Sequence, residues 1–396
     1  MSKAQQHVEQ AKAYLAANRT EEAERELRQA IALDPHELSA RLELARLLGA
    51  SGRFEECSKI IDEAIQLAPD NPDALTLKGM DLIMQDQYQP ATDMLRRALA
   101  QNPKLLVAQV HLGIALREMD LLDEAEATLR KAVTINPRSP QALFELAHTL
   151  AVKDKDEEAR RTLMQLIKIQ PNFTRAYLAL ANLYNHIGQI EDAIKICHQG
   201  LSTNQDALNI GAMLKDLYWQ KGDLAAAYHV MYQICMRRGS YEDYLALGHL
   251  AAASQRYDDA EKAYKRAIYL SPNNWTPHCA LAELYDNQNR STDAVREFDI
   301  AIQLNPGSYQ PYNSFAMFLF KQERIDEALQ QLDYACQLAP NEPIPHYNIG
   351  LALAKAKRLV ESRKALILAR SYSQPGELRE QINQVLKAVE EEIRKE

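Results

Sequence analysis

The sequence has few cysteines, and they are too widely spaced to form cross-links or a metal site. Its five cysteines, among 396 residues, lie tens of residues apart and form no C-x-x-C pair. An odd and dispersed set of this kind excludes a disulfide framework and a structural zinc site. We therefore expect a protein of the reducing cytoplasm.

The sequence also lacks an excess of positive charge. It has 46 Lys and Arg residues against 54 Asp and Glu residues, a formal net charge of −8. Binding to a phosphate backbone needs clustered positive charge, which this balance does not favour. Nucleic acid is therefore excluded as the expected main partner.

Long apolar runs are missing as well. No stretch approaches the roughly 18–20 apolar residues that are needed to cross a bilayer. The first seven residues, Met-Ser-Lys-Ala-Gln-Gln-His, do not resemble the apolar core of a signal peptide. We expect a protein that is not exported and is not inserted into a membrane.

Known catalytic motifs are absent too. The sequence contains no G-x-G-x-x-G, G-x-x-x-x-G-K-[ST], H-E-x-x-H or G-x-S-x-G segment, and only 13 glycines. His111 and His148 have a spacing that would allow a metal pair, but two half-exposed histidines without a metal are the simpler interpretation. We predict no enzyme activity, no cofactor and no metal site.

What the sequence does contain is a regular period. Prolines recur every 34 residues in two series. The first series is Pro35, Pro69, Pro103, Pro137 and Pro171, and the second is Pro272, Pro306 and Pro340. Because proline has no amide hydrogen to donate, each is expected to end one helix and open the connection to the next repeat.

Small residues follow the same period. Twelve residues before each expected proline the side chain is Ala, Cys or Ser in all eleven repeats, from Ala23 to Ser362. Twenty-four residues before it the residue is Ala or Gly in ten repeats, and Lys215 is the exception. Helices that cross at about 8–10 Å leave no room for long side chains, so these positions predict close helix contacts.

Within each repeat the apolar residues recur at helical spacing, which predicts two amphipathic helices joined by a short turn. Gly52, Gly188 and Gly222 occupy that turn, with Asn or Asp at many equivalent places. A 34-residue period with this pattern of alanines and prolines resembles the tetratricopeptide repeat (TPR) family. The resemblance covers residues 4–376 as eleven units, and residues 377–396 are expected to form a C-terminal capping helix.

The resemblance implies an all-α fold, an α-solenoid in which eleven TPR helix pairs wind into a right-handed superhelix. We divide it into units one to six at 4–207, an irregular 33-residue seventh unit at 208–240, units eight to eleven at 241–376 and the cap at 377–396. In the sixth unit Gln205 stands where proline is expected, and in the seventh Lys215 stands at a position of close helix contact. The irregular unit is either a hinge or a tolerated departure.

In family members that hold peptides, the first helix of each unit lines the concave wall at places 2, 5, 6, 9, 12 and 13. In units three to five this count predicts a largely apolar set of partner-binding residues: Leu77, Met80, Ile83, Met84, Val107, Val110, His111, Ile114, Phe144 and His148. We call this set the apolar stripe. It suits an amphipathic helix or an extended apolar segment; the alternative is that it packs internally or against a second copy.

In units six and seven the same count predicts hydrogen-bonding side chains around one aromatic ring: Arg175, Asn182, Asn185, His186, Asn209, Asp216 and Trp219. Such residues are suited to holding peptide amides with little sequence preference. A solvated polar surface without a binding role is an equally simple interpretation.

The resemblance favours a non-enzymatic scaffold or adaptor that binds a protein or peptide in the concave groove. One alternative is a structural protein that associates with itself. Another is a substrate-recruiting or regulatory subunit of an enzyme complex, such as a glycosyltransferase, a protease or a secretion machine. A co-chaperone that clamps a terminal carboxylate is disfavoured, because Leu178 stands where that motif needs lysine.

Overall fold

The computed structural model describes residues 1–204 and 207–395, which form 23 α-helices and no strand. In the first seven repeats the helices are α1 (Lys3–Ala16), α2 (Thr20–Leu33), α3 (Leu38–Ala50), α4 (Phe54–Leu67), α5 (Pro72–Met84), α6 (Tyr88–Gln101), α7 (Leu106–Glu118), α8 (Leu122–Ile135), α9 (Pro140–Val152), α10 (Asp156–Ile169), α11 (Thr174–His186), α12 (Ile190–Thr203), α13 (Leu208–Lys221) and α14 (Leu224–Arg237). In the remaining repeats they are α15 (Tyr241–Ala253), α16 (Tyr257–Leu270), α17 (Thr276–Asn287), α18 (Ser291–Leu304), α19 (Tyr309–Lys321), α20 (Ile325–Leu338), α21 (Pro343–Lys355) and α22 (Leu359–Tyr372), followed by α23 (Glu377–Ile393).

The predicted helix pairs are confirmed. Each odd-numbered helix from α1 to α11 and from α15 to α21 packs against the even-numbered helix that follows it. The small residues lie where these two helices meet. A Cβ atom added to Gly113 of α7, for example, would lie 2.4 Å from the Leu129 Cγ atom of α8. The absence of a side chain therefore sets how closely the pair can approach.

Two of the small residues carry a polar atom, and both use it in the same way. The Cys57 thiol donates to the Ala45 carbonyl oxygen at 3.1 Å, and the Ser362 hydroxyl donates to the Gly350 carbonyl oxygen at 2.7 Å. In each case the acceptor lies twelve residues earlier, on the first helix of the same repeat. The polar group is thus buried without losing a hydrogen-bond partner.

The turn between the two helices of each repeat has a left-handed residue in all eleven repeats. Glycine fills this position at Gly52, Gly188 and Gly222, with φ between 75° and 81°. In the other eight repeats a non-glycine residue has φ between 55° and 62°; these residues are Asn18, Asp86, Asp120, Asp154, Gln255, Asn289, Glu323 and Lys357. A left-handed residue after a helix lets the chain reverse direction, and L side chains adopt this conformation at a cost in energy.

Replacing Gln255 by glycine is therefore expected to stabilise the second unit by about 0.5–1 kcal/mol, because it removes the left-handed strain of a side chain. The reciprocal change Gly188→Gln should destabilise the first unit by a similar amount. Urea unfolding monitored by circular dichroism measures both. The interpretation fails if the two substitutions shift stability in the same direction.

The chain divides into two compact units, Met1–Ile210 and Gly211–Glu396. The boundary falls within α13, in the repeat that we predict to be irregular, whereas Gln205 lies outside the described residues. At the close-contact position, the Lys215 Nζ atom lies 2.7 Å from the Asp216 Oδ1 atom. The hinge at 208–240 and the right-handed winding of the whole chain stay predictions.

The last helix, α23, packs on α22. Its apolar face buries Ile382, Leu386 and Val389 against a cluster that includes Leu359 and Leu366. The opposite face is charged. This agrees with the predicted role of a cap, which shields the apolar side of the preceding repeat.

All five cysteines carry free thiols. Four are buried, and Cys336 is half-buried. Burial raises the pKa of Cys197, Cys235 and Cys279 to about 12 and that of Cys336 to about 11. Within the described part of the chain, none of the helices is both long and apolar enough to cross a membrane.

Candidate functional site

A pocket of about 620 Å³ lies on α9 and α11, the first helices of the fifth and sixth repeats. We call it the α9–α11 pocket. It has the size of a typical ligand-binding pocket, for which roughly 300–1,000 Å³ is usual. Its lining residues are Phe144, Ala147, His148, Ala151, Val152, Asp154, Asp156, Leu163, Arg175, Leu178, Ala179, Asn182, Leu183 and His186.

The pocket exists because small side chains line facing parts of the two helices. Ala147 and Ala151 of α9 and Ala179 of α11 leave space where longer side chains would fill the groove. Ala147 is small because it packs at the close contact with the second helix of its own repeat, where it is fully buried. The packing rule of the repeat thus also produces the hollow.

One end of the pocket is formed by Arg175 and aromatic rings. The Arg175 guanidinium lies 4.3 Å from the centre of the Phe144 ring, and that ring lies 5.6 Å from the ring of Phe173. Arg175 is exposed and has no ion-pair partner among the residues that the structure describes. The stacking holds a positive charge at the pocket rim without neutralising it.

His148 lies beside this charge, with its ring centre 6.4 Å from that of Phe144. Its side chain is accessible to water but enclosed by the pocket walls, and this enclosure lowers its pKa. The guanidinium groups of Arg117 and Arg175 lower the pKa further. At pH 7 the imidazole is therefore neutral and offers one hydrogen-bond donor and one acceptor.

The other end of the pocket is acidic. Asp154 occupies the left-handed position after α9, with φ of 55°, and Asp156 begins α10. Neither carboxylate has an ion-pair partner within residues 1–204 and 207–395. Between the two ends, Val152, Leu178 and Leu183 make the walls apolar.

The pocket brings together five of the predicted partner-binding residues: Phe144, His148, Arg175, Asn182 and His186. The first two come from the apolar stripe and the other three from the polar set. Asn182 and His186 are exposed, whereas Phe144 is mostly buried under Arg175. The pocket therefore lies where the two predicted surfaces meet.

Much of the apolar stripe packs within the helix stack. Leu77 is buried, and Met80 is half-buried against the same core cluster. Val110 is only 2% exposed and lies in a core cluster against which Ile114 packs. Ile83 packs against a second cluster, which is formed by Leu82, Ala91 and Ala115. Met84 and Val107 are the exposed apolar members, at 60% and 46%. His111 is half-buried, and its Nδ1 atom lies 2.8 Å from the Val107 carbonyl oxygen.

The remaining polar residues lie outside the pocket. The Asn185 side-chain oxygen is buried without a hydrogen-bond partner among the described residues. Asn209 is exposed in the first unit. Asp216 and Trp219 are exposed in the second unit, Trp219 at 51%.

Several pocket residues are absent from the predicted partner-binding set, although the count along the first helix could have found some of them. Leu178, Ala179, Ala151 and Val152 occupy the places that the groove count marks as inward-facing. They are small or aliphatic, so composition does not distinguish them from packing residues. Asp154 and Asp156 follow the first helix and lie outside any count along it.

A smaller depression of about 260 Å³ lies in the second unit, between α17 and α19. Its carboxylate Asp286 already accepts from the Gln322 side-chain amide at 2.9 Å and lies 3.5 Å from the Lys321 ammonium. Because these partners satisfy the carboxylate, the depression is a weaker candidate site. Over the described ranges, no three His, Cys, Asp or Glu side chains are placed to bind a metal ion.

Family models match several parts of the chain. A model described as tetratricopeptide repeat matches residues 5–80 and 122–183, and a second with the same description matches 245–309. A model described as TPR repeat matches residues 319–356. Together the matches cover more than half of the sequence, so the chain belongs to the tetratricopeptide repeat family.

Solved structures with a similar fold include yeast Tom70, which is 13% identical. The match covers 99% of this chain and 96% of Tom70, with a TM-score of 0.45. PilW, described as a type IV pilus biogenesis factor, is 19% identical over 52% of this chain and 96% of its own, with a TM-score of 0.48. Likenesses of this size say nothing about partners. No curated protein sequence matches the chain.

Proposed function

We propose that the chain is a non-enzymatic, cytoplasmic scaffold or adaptor that binds a segment of a protein partner in the α9–α11 pocket. The TPR repeats support a role in protein interaction. The observation that carries the proposal is the pocket itself, because five predicted partner-binding residues line one apolar hollow of about 620 Å³. An apolar pocket with a few polar groups at its rim is the usual form of a binding site.

Each part of the pocket has a role in this proposal. The walls, which include Val152, Leu178 and Leu183, desolvate an apolar side chain of the partner. Asn182 and His148 offer hydrogen bonds to the backbone of the bound segment. Met84 and Val107, which are exposed on α5 and α7, extend the apolar contact along the first unit.

The test is affinity capture from a lysate of the source organism, with the wild-type chain and two variants compared by quantitative mass spectrometry. Val152→Glu combined with Asn182→Glu puts two carboxylates into the pocket at exposed positions, so folding should be preserved. We expect at least tenfold less capture of the wild-type partners, because charged groups in the pocket oppose desolvation of an apolar side chain.

The matched control is Val360→Glu, which changes another exposed valine, on α22 of the second unit. It should capture the same proteins as the wild type. Equal capture by the pocket variant and the control would show that the α9–α11 pocket does not bind the partner. Light scattering over a concentration series addresses self-association, since a single chain has a mass of 44.9 kDa.

A further inference from the structure

We infer that the α9–α11 pocket binds an extended peptide segment with an acidic side chain at one end, apolar side chains in the middle and a basic side chain at the other end. This inference rests on the proposed function and adds the chemistry of the partner. It depends on the opposite charges at the two ends of the pocket.

The positive end is Arg175. Its guanidinium is stacked on the Phe144 ring, exposed, and without an ion-pair partner in the described part of the chain. By contrast, the Arg117 guanidinium is held by the Glu145 carboxylate at 2.9 Å. Arg175 is thus free to pair with a carboxylate from outside, which Arg recognises with good geometry.

The negative end consists of Asp154 and Asp156. Both line the pocket, and neither is neutralised by a neighbouring Lys or Arg side chain within residues 1–204 and 207–395. The nearby ammonium groups of Lys153 and Lys155 are engaged elsewhere, at 2.5 Å and 2.9 Å from Glu126. The two aspartates therefore leave a negative field at this end of the pocket, which favours a cationic side chain.

The length of the pocket sets the spacing of the two charges. Along α11 its lining runs from Arg175 to His186, which is about 16 Å at the helical rise of 1.5 Å per residue. An extended chain covers this distance in about five residues, at roughly 3.3 Å each. The acidic and basic side chains of the partner are thus expected about five positions apart.

The hydrogen-bonding side chains at the rim favour an extended segment over a helix, because the backbone amides of a helix are already bonded within it. An extended segment can place alternate side chains into the hollow and leave its backbone at the rim, near Asn182 and His148. The apolar side chains in the middle then contact Val152 and Leu178.

The test measures fluorescence anisotropy with three blocked, labelled peptides that share a central Thr-Val-Leu-Thr segment. The first has Glu before and Lys after this segment, the second has Glu at both ends, and the third has Lys at both ends. Each is titrated against the wild-type chain, Arg175→Glu, and Asp154→Lys combined with Asp156→Lys. The control variant is Arg25→Glu, an exposed arginine on α2.

We expect each protein to prefer the peptide with complementary ends by about fivefold or more, because like charges in contact are strongly disfavoured. The wild type and Arg25→Glu should prefer the Glu/Lys peptide. Arg175→Glu should prefer the Lys/Lys peptide, and the double aspartate variant the Glu/Glu peptide. These preferences should weaken as salt is raised, because salt screens exposed charges.

Two results would overturn the inference. If the wild type binds none of the three peptides, the proposed partner chemistry is wrong. If it binds all three equally, and Val152→Glu with Asn182→Glu abolishes that binding, the pocket is a peptide site without charge preference. In that second case the proposed function stands and only the inference fails.

Discussion

The substitution Glu145→Ala is expected to destabilise the first unit by about 3 kcal/mol or more. The Arg117 guanidinium of α7 donates to the Glu145 carboxylate of α9 at 2.9 Å, and their side chains are only 9% and 5% exposed. Gln141 also donates to this carboxylate, at 2.8 Å. Removing the acceptor leaves a buried cation between two repeats without its main partner, which costs far more than the loss of an exposed ion pair.

The chain offers a matched control, because Arg117 also lies 3.1 Å from Glu118, which is 41% exposed. Glu118→Ala should change stability by about 0.5 kcal/mol or less. Urea unfolding gives the total effect, and hydrogen exchange of the α7 and α9 amides locates it. Equal effects of the two substitutions would mean that burial of the pair has no energetic consequence.

The substitution Leu129→Ala is expected to cost about 2–5 kcal/mol, and Gly113→Ala about 1–3 kcal/mol. Leu129 is fully buried, so its truncation leaves a cavity. Gly113 has no space for a methyl group, since an added Cβ atom would lie 2.4 Å from Leu129 Cγ. The first change creates a void at the place where the second adds an atom.

The double variant should therefore be more stable than the sum of the two single effects predicts, by at least about 0.5 kcal/mol. Denaturant unfolding of the wild type, both single variants and the double variant measures this coupling. Gly307→Ala is the control, because nothing lies within 4 Å of its added Cβ atom. Strict additivity would show that the α7–α8 contact adjusts without cost.

The sequence predicts the repeat fold in detail because each repeat obeys the same local constraints. The residue twelve places before the expected proline is buried in every repeat, from Ala23 to Ser362, since the helix pair closes there. The left-handed turn is predicted at Gly52, Gly188 and Gly222. Gln255, Glu323 and Lys357 also adopt the left-handed conformation, although their residue types do not favour it. At these three positions only the place in the repeat predicts it.

The candidate site is less predictable, because the position of a residue along the first helix of its repeat does not determine whether its side chain is exposed. Val110 and Met84 both fall on the predicted inner wall, but Val110 packs against neighbouring helices while Met84 lies at the end of α5 in solvent. The pocket depends on which neighbouring side chains are short, such as Ala147 and Ala179. The pocket is formed by two repeats together, so counting positions within one repeat does not predict it.

The protected thiols make this chain a clean background for site-specific labelling. With a pKa of about 12, a buried cysteine such as Cys197 has roughly one molecule in 100,000 in the reactive thiolate form at pH 7. An introduced surface cysteine with an ordinary pKa of about 8.5 reacts roughly a thousandfold faster or more. A single fluorophore placed through Asn172→Cys, at an exposed position just before α11 that does not line the pocket, can therefore report occupancy of the α9–α11 pocket with the pocket residues unchanged.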